Sequence, residues 1–432
     1  MISPNLASSP APSLSRRKPA PNASAVAASA TAAAPPRPNP RVLAGAAILQ
    51  IVPALRDDAI GHAAMDTAVA LLQAGARTII AGDDGPLVGE LRALGGEFLP
   101  LRRESFNPVQ LRSNARFLHD YVLTERIDVV HAHSAAAAWS ALGAVHALPV
   151  WLVTSFPDRL IADTWLRRSY HGVLARGDRV IAPSSFISLA MIERYKIAPD
   201  RITVIPRAID IAAFSPAAVL DARIGALRRA WGVLPEQRVV LVPGALTPEN
   251  GQMTMIDAVR LIVGNGGGRN LVVVFAGDDR ADRRHVRALH WRAGERAVDT
   301  LLRFVGPCAD APAALAAADI VAIPALQAPD SGAPAAQAQA MGRPTIVTAA
   351  GVLPEHVLFP PRMPEDLRTG WVVRPGNAAE LAQALAAALA LDRTAYAALG
   401  ARARQFAEFM FSPRSVAEAV RGVYTSLLAR DP

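Results

Sequence analysis

The chain has 432 residues, enough for two domains with their own cores, and its 51% hydrophobic and 19% charged residues mark it as globular. Its formal charge of +8 is concentrated at one end: Arg16, Arg17, Lys18, Arg37 and Arg41, with no Asp or Glu among residues 1–41, carry five and leave three for the rest. That balance, with only 5% aromatic residues, excludes a basic nucleic-acid platform, and the single Cys308 excludes an internal disulfide and fits a reducing compartment.

Residues 1–41 are Ala, Pro, Ser and Asn with few large apolar groups, so burial cannot offset their ordering entropy and a disordered tail is expected. Arg16 and Arg17 suggest a twin-arginine export signal, but Pro19, Pro21 and Asn22 interrupt a weakly apolar stretch where such a signal needs a continuous run. The expected location is therefore cytoplasmic, and contact of the basic tail with the inner-membrane surface stays open. The longest apolar runs, Val239–Pro243 and Leu271–Ala276, suit buried strands and are far too short to span a bilayer.

From Ala46 short apolar runs alternate with amphipathic stretches. "AAILQIVPAL" predicts a strand, "GHAAMDTAVALLQAGAR" a helix closed by Gly75, "TIIAGDD" a strand, "GPLVGELRALGG" a helix and "GEFLPL" a third strand. "LRSNARFLHDYVLTER" reads as helix and "IDVVHAHS" as strand, before "DRVIAPSSFISLAMIERY" and "ITVIPRAID" complete the first unit. A similar series opens near Arg238 with "VVLVPGAL", "GQMTMIDAVRLIV", "NLVVVFAGDD" and "DRRHVRALHWRAGERA". It continues through "LLRFVG", "DAPAALAAAD", "IVAIPAL", a helix over Gly332–Met341 and "PTIVTAA". The pattern predicts an α/β protein of two doubly wound, Rossmann-like domains facing across a cleft, with ligands beyond the carboxyl ends of the strands. The expected divisions are a tail over 1–41, a first domain over 42–212, a second over 213–405, and a terminal helix within 406–432 packing back on the first.

In order and spacing, "ARGDRVIAPSSFI", "RYKIAPDRITVIPRAIDIAAFSP", "VVLVPGALTPENGQ", "ADAPAALAAADIV", "AQAMGRP" and "TGWVVRPGN" resemble the GT-B glycosyltransferases of family 4 used in bacterial surface-polysaccharide and lipopolysaccharide assembly. The resemblance implies transfer of a sugar, with retention and without a metal or other cofactor, from a UDP- or GDP-linked donor to an envelope glycan or glycolipid. On the donor side it implies Gly244, Ala245, Thr247, Asn250 and Gly251, the turns at Gly277 and Gly306, and Gly332, Ala333, Pro334, Gln337 and Glu355. Asp330 and Gln337 fall at or beside the positions of the family's two Glu and are the catalytic candidates; Gly61, His131, His133 and Pro157 are the acceptor-side candidates.

On the donor side four family charges are lost, and on the acceptor side Pro157 stands at a family His position. Ala245 and Asn250 stand where the family carries Arg and Lys, and Pro329 and Gln337 where it carries Glu. A charge-assisted hydrogen bond to phosphate contributes about 1.5–3 kcal/mol, and one preorganised donor about 10²–10³ in rate. Two readings therefore stand side by side: an active transferase with an altered donor site, and a silent relative acting as partner or regulatory subunit of a glycan-assembly complex. Nucleotide-sugar epimerisation is a third reading, disfavoured by the lack of acid–base groups at the cleft. The helix start near Gly332 and the Gly251 loop are expected to keep their backbone N–H donors. The basic run Arg280, Arg283, Arg284 and Arg287 is a candidate replacement for the lost cations, against the plainer reading of a solvated helix face, and Arg207 reads as structural. His131 and His133, two apart on one strand face, would permit a metal pair, but no third ligand is visible, so packing or acceptor contact is expected. Glu355 divides between a polar donor contact and a residue at a helix N-terminus.

Overall fold

The computed structural model describes residues 42–101, 107–157, 164–268 and 270–430; the expected tail lies outside the described residues. The first half contains strands β1 (Ala47–Ala54), β2 (Arg77–Asp83), β3 (Glu97–Pro100), β4 (Val129–Ala132), β5 (Trp151–Ser155), β6 (Arg179–Ala182) and β7 (Ile202–Val204). Between them run helices α1 (Ala59–Gln73), α2 (Val88–Ala93), α3 (Pro108–Thr124), α4 (Ala135–Val145), α5 (Trp165–His171) and α6 (Ser185–Tyr195). The second half follows helix α7 (Asp221–Ala230) with β8 (Arg238–Pro243), α8 (Gln252–Gly264), β9 (Leu271–Ala276), α9 (Arg283–Glu295), β10 (Leu302–Phe304) and α10 (Ala311–Ala317). It continues with β11 (Ile320–Ile323), α11 (Ala333–Ala340), β12 (Thr345–Thr348), β13 (Gly370–Val373), α12 (Ala378–Leu389), α13 (Arg393–Phe411) and α14 (Pro413–Leu428).

Among the described residues the strands form two all-parallel sheets, β3-β2-β1-β4-β5-β6-β7 and β10-β9-β8-β11-β12-β13. Both are doubly wound, which is the expected fold class. Strands such as β1 and β9 are apolar on both faces because helices cover both faces of a parallel sheet. In the first half α3, α4 and α6 cover one face, while α1 and α14 cover the other through Leu71, Val420 and Tyr424. The halves repeat one local device. Asp128, before β4, accepts from the Ala47 N–H at 2.8 Å, and Asp319, before β11, accepts from the Val239 N–H at 2.8 Å. Each carboxylate thus ties the two central strands of its sheet at their amino ends, leaving the carboxyl ends for the site. Among the described residues no helix is long and apolar enough to cross a membrane.

Candidate functional site

Two adjoining crevices lie at the carboxyl ends of the first sheet and share Pro183, Pro206 and Arg207. The larger, about 70 Å³, is lined from α1 by Asp66, from the ends of β4 and β5 by His133, Ser155 and Pro157, and from α14 by Val416 and Val420. The smaller, about 40 Å³, brings Ser184 and Arg207 of the first half against Asp330, Gly332, Ala333 and His356 of the second. Arg207, read from sequence as structural, therefore stands where the crevices join, with its Nη1 donating to the Ala59 carbonyl at 2.5 Å.

Each crevice rests on buried polar groups. Gln50 is the one polar residue inside β1 and is fully buried; its Nε2 donates to the Ala64 carbonyl, which turns Oε1 toward His133 Nε2 at 2.8 Å. His131 is also fully buried, with Nε2 2.8 Å from Ser155 Oγ and Nδ1 2.7 Å from the Tyr424 hydroxyl of α14. The His131 and His133 rings lie 3.9 Å apart, and among the described residues no group of three metal-ligating side chains forms around them. Burial, with Arg207 adding repulsion, lowers the His133 imidazole to about 3. Burial and His133 likewise hold His131 well below the usual range. Burial pushes the Asp66 carboxyl up, against the pull of Arg207. The structure thus divides the histidine pair: His133 lines the crevice, whereas His131 is sealed behind it and cannot touch an acceptor.

Of the residues expected on the donor side, Gly244 follows β8, Gly277 follows β9, and Gly306 lies beyond β10, all at the carboxyl edge of the second sheet. A Cβ on Gly277 would meet the Gly244 carbonyl oxygen at 1.8 Å, so this close turn admits no side chain. Asn250 turns its amide inward, donating to the Ala245 carbonyl at 2.9 Å and Thr247 Oγ1 at 3.1 Å. It holds the loop shut and offers no cation. Gln252 supports the same carbonyl from its own Nε2.

The remaining candidates are placed as follows. Gln337 is half-buried on α11 and lines neither crevice, while Asp330 lines the smaller one. Arg280, Arg283, Arg284 and Arg287 are exposed, as the plainer reading of a solvated helix face expects, and line neither crevice. Glu355 resolves as a helix-terminus residue, but of a helix in the other half. Its carboxylate accepts from Ser185 N–H at 2.8 Å and Phe186 N–H at 2.7 Å, capping α6 beside Ser184 Oγ, which accepts from Ile187 N–H.

That contact ties the halves together. Glu355→Gln keeps the shape but loses the charge, so amide exchange at Ser185 and Phe186 is expected to quicken about tenfold in hydrogen–deuterium exchange. Unchanged exchange over α6 would mean that the carboxylate adds nothing to closure. Next to it, His356 stacks on Phe411 at 4.9 Å and fills the space a Cβ on Gly332 would need, 2.0 Å from its Cε1.

Residues 30–213 match the family model Glycosyltransferase Family 4, and residues 237–390 match Glycosyl transferases group 1. Both halves are glycosyltransferase domains. The two glycosyltransferase domains are similar in fold to a glycosyltransferase from Rickettsia africae (TM-score 0.76, 22% identity, 90% of this chain and 100% of that one). They are also similar to HepE of Anabaena, solved with UDP (TM-score 0.69, 19% identity, 88% and 100%). Among curated proteins, a D-inositol 3-phosphate glycosyltransferase of Corynebacterium efficiens is 30% identical over 273 residues, 62% of this chain and 59% of that protein. The GPI3 subunit of the yeast phosphatidylinositol N-acetylglucosaminyltransferase (Saccharomyces cerevisiae) is 28% identical over 171 residues, 38% of this chain and 36% of that one. The chain therefore spans less than two thirds of the length of the first relatives it matches, 59% and 47%.

The sequence reading missed Gln50, Asp66, Ser155 and Tyr424. Gln50 had a signal, a lone amide in an otherwise apolar strand. Tyr424 had none, because its partner lies 293 residues away.

Proposed function

We propose that the chain transfers a glycosyl group from a nucleotide diphosphate sugar to a hydroxyl-bearing acceptor, the second half holding the nucleotide and the first the acceptor. The observation that carries this reading is the junction of the crevices, where Arg207 of the first domain and Asp330 and Gly332 of the second line one space at the strand ends of two glycosyltransferase domains. In the step proposed, the bond from anomeric carbon to diphosphate oxygen breaks, the acceptor oxygen forms the new bond, and the acceptor proton leaves with the diphosphate. Retention, a UDP or GDP donor, an envelope glycan or glycolipid acceptor, and independence from metal belong to the same proposal, supported by the family resemblance. So does a cytoplasmic location.

A second reading, a silent subunit of a glycan-assembly complex, draws on one specific observation. The donor loop presents Ala245 and an inward-turned Asn250 in place of cations. Calorimetric titration with UDP and GDP, followed by a donor-hydrolysis assay, separates the two. Turnover removes the silent reading; neither binding nor turnover removes the transferase. Restoring one cation by Ala245→Arg is expected to tighten nucleotide diphosphate binding about tenfold. No change would place the phosphates away from this loop.

A further inference from the structure

The hydrogen-bond network behind the larger crevice fixes which protons its wall presents. Tyr424 is fully buried and, among the described residues, its hydroxyl has one hydrogen-bond partner, His131 Nδ1, so satisfying its O–H makes it the donor there. His131 then carries its proton on Nε2 and donates to Ser155 Oγ, which frees the Ser155 O–H to donate into the crevice. Gln50 is oriented by its bond to Ala64, so its Oε1 accepts from His133 Nε2–H. His133 Nδ1 is therefore an unprotonated acceptor, with no protein partner among the described residues. Burial keeps both rings neutral. Asp66, on the same wall, accepts no hydrogen bond from the described residues.

The wall thus offers one hydroxyl donor and two acceptors, and Arg207 draws on the Asp66 carboxyl through its charge. The N-terminus of α1 adds no anion cradle, because Asp58 already accepts from its Ile60 and Gly61 N–H groups. Adjacent ring hydroxyls, each able to donate and accept, match this pattern, whereas a phosphate ester would meet the Asp66 carboxylate and the His133 lone pair.

We propose that Asp66, His133 and Ser155 bind a neutral polyhydroxylated ring, a sugar or a cyclitol, through neighbouring hydroxyls, and that this crevice disfavours a phosphorylated one. The space of about 70 Å³ takes one edge of such a ring. The inference deepens the acceptor side of the proposed function and rests on that reading, but it is tested without nucleotide, so a failed donor titration leaves its outcome standing.

The experiment titrates the whole chain with myo-inositol, with methyl glucoside and with inorganic phosphate, reading binding by saturation-transfer NMR and the His133 ring-nitrogen shifts. At least one of the two rings is expected to bind with a Kd of about 1–10 mM and to move the His133 Nδ1 resonance. Asp66→Asn and Ser155→Ala are each expected to weaken that binding about fivefold. Which ring binds distinguishes sugar from cyclitol. The proposal is overturned if neither ring binds or moves His133 Nδ1 at about 50 mM. It is equally overturned if phosphate displaces the ring, or if both variants fold with wild-type thermal midpoints and bind the ring unchanged.

Discussion

Lowering the pH from about 8 to about 5 is expected to destabilise the first half by about 2 kcal/mol through His133 alone, with His131 adding to the loss. In the unfolded chain His133 takes up its proton near 6.5, whereas in the fold burial and Arg207 delay protonation to about 3. The unfolded state binds more protons throughout that window, so stability is fully present above the unfolded value and falls as pH drops through it. Denaturant unfolding at several pH values checks this, with His133→Gln as reference, since that variant removes one titrating group and leaves the acid carboxylates in place. Its stability should decline less steeply between pH about 6.5 and about 4. A slope equal to wild type would mean that His133 is not held neutral. The same physics bears on function, because a neutral His133 keeps its Nδ1 lone pair over the whole range in which the fold persists.

Gly251→Ala is expected to cost about 3 kcal/mol or more, enough to lower the melting midpoint of the second half by several degrees. Gly251 adopts φ +71° between the Thr247–Asn250 turn and α8, and a Cβ there would meet the Pro324 carbonyl oxygen at 1.9 Å. Backbone strain of about 1–2 kcal/mol is thus added to a clash with main chain that cannot rotate away. Gly306 is the internal comparison. It has φ +70° but nothing within 4 Å of its would-be Cβ, so Gly306→Ala should cost only the strain. Equal losses in calorimetric melting would show that the close approach of the Gly251 loop to the end of β11 contributes nothing. The loop is tied there a second time by the Leu326 N–H bond to the Glu249 carbonyl at 2.7 Å.

The fold was legible because parallel sheets covered on both faces write themselves as continuous apolar runs, as in β9, and because helix starts and turns carry local marks such as Gly75 and Gly251. The sequence reading assigns no element over α4, β5 or α7, as their Ala-rich or short segments have weak periodicity. The site was legible where its chemistry is local: the lost cations at Ala245 and Asn250 could be read directly, and the structure adds that the Asn250 amide holds the loop. Groups defined by distant partners were not legible. Glu355 meets α6 across 170 residues, and Arg207 looks like any linker arginine until Pro183 and Gly332 are placed beside it. The basic run left two readings open for the opposite reason, since charge in sequence carries no direction; Arg280 and the α9 residues Arg283, Arg284 and Arg287 face solvent, as the plainer reading expects.

Helix α14 has a consequence for the order in which the molecule is made. It supplies Val416, Val420, Tyr424 and Leu427 to the core of the first half, although it follows the whole second half in the chain. A ribosome therefore finishes the first sheet hundreds of residues before the helix that covers one of its faces emerges. Until then Ile48, Val129 and Val153 lack that cover and His131 lacks its phenol donor. The half translated first is thus completed last. Nascent chains stalled before residue 413 should expose that apolar face to chaperones, while chains released past residue 428 should not.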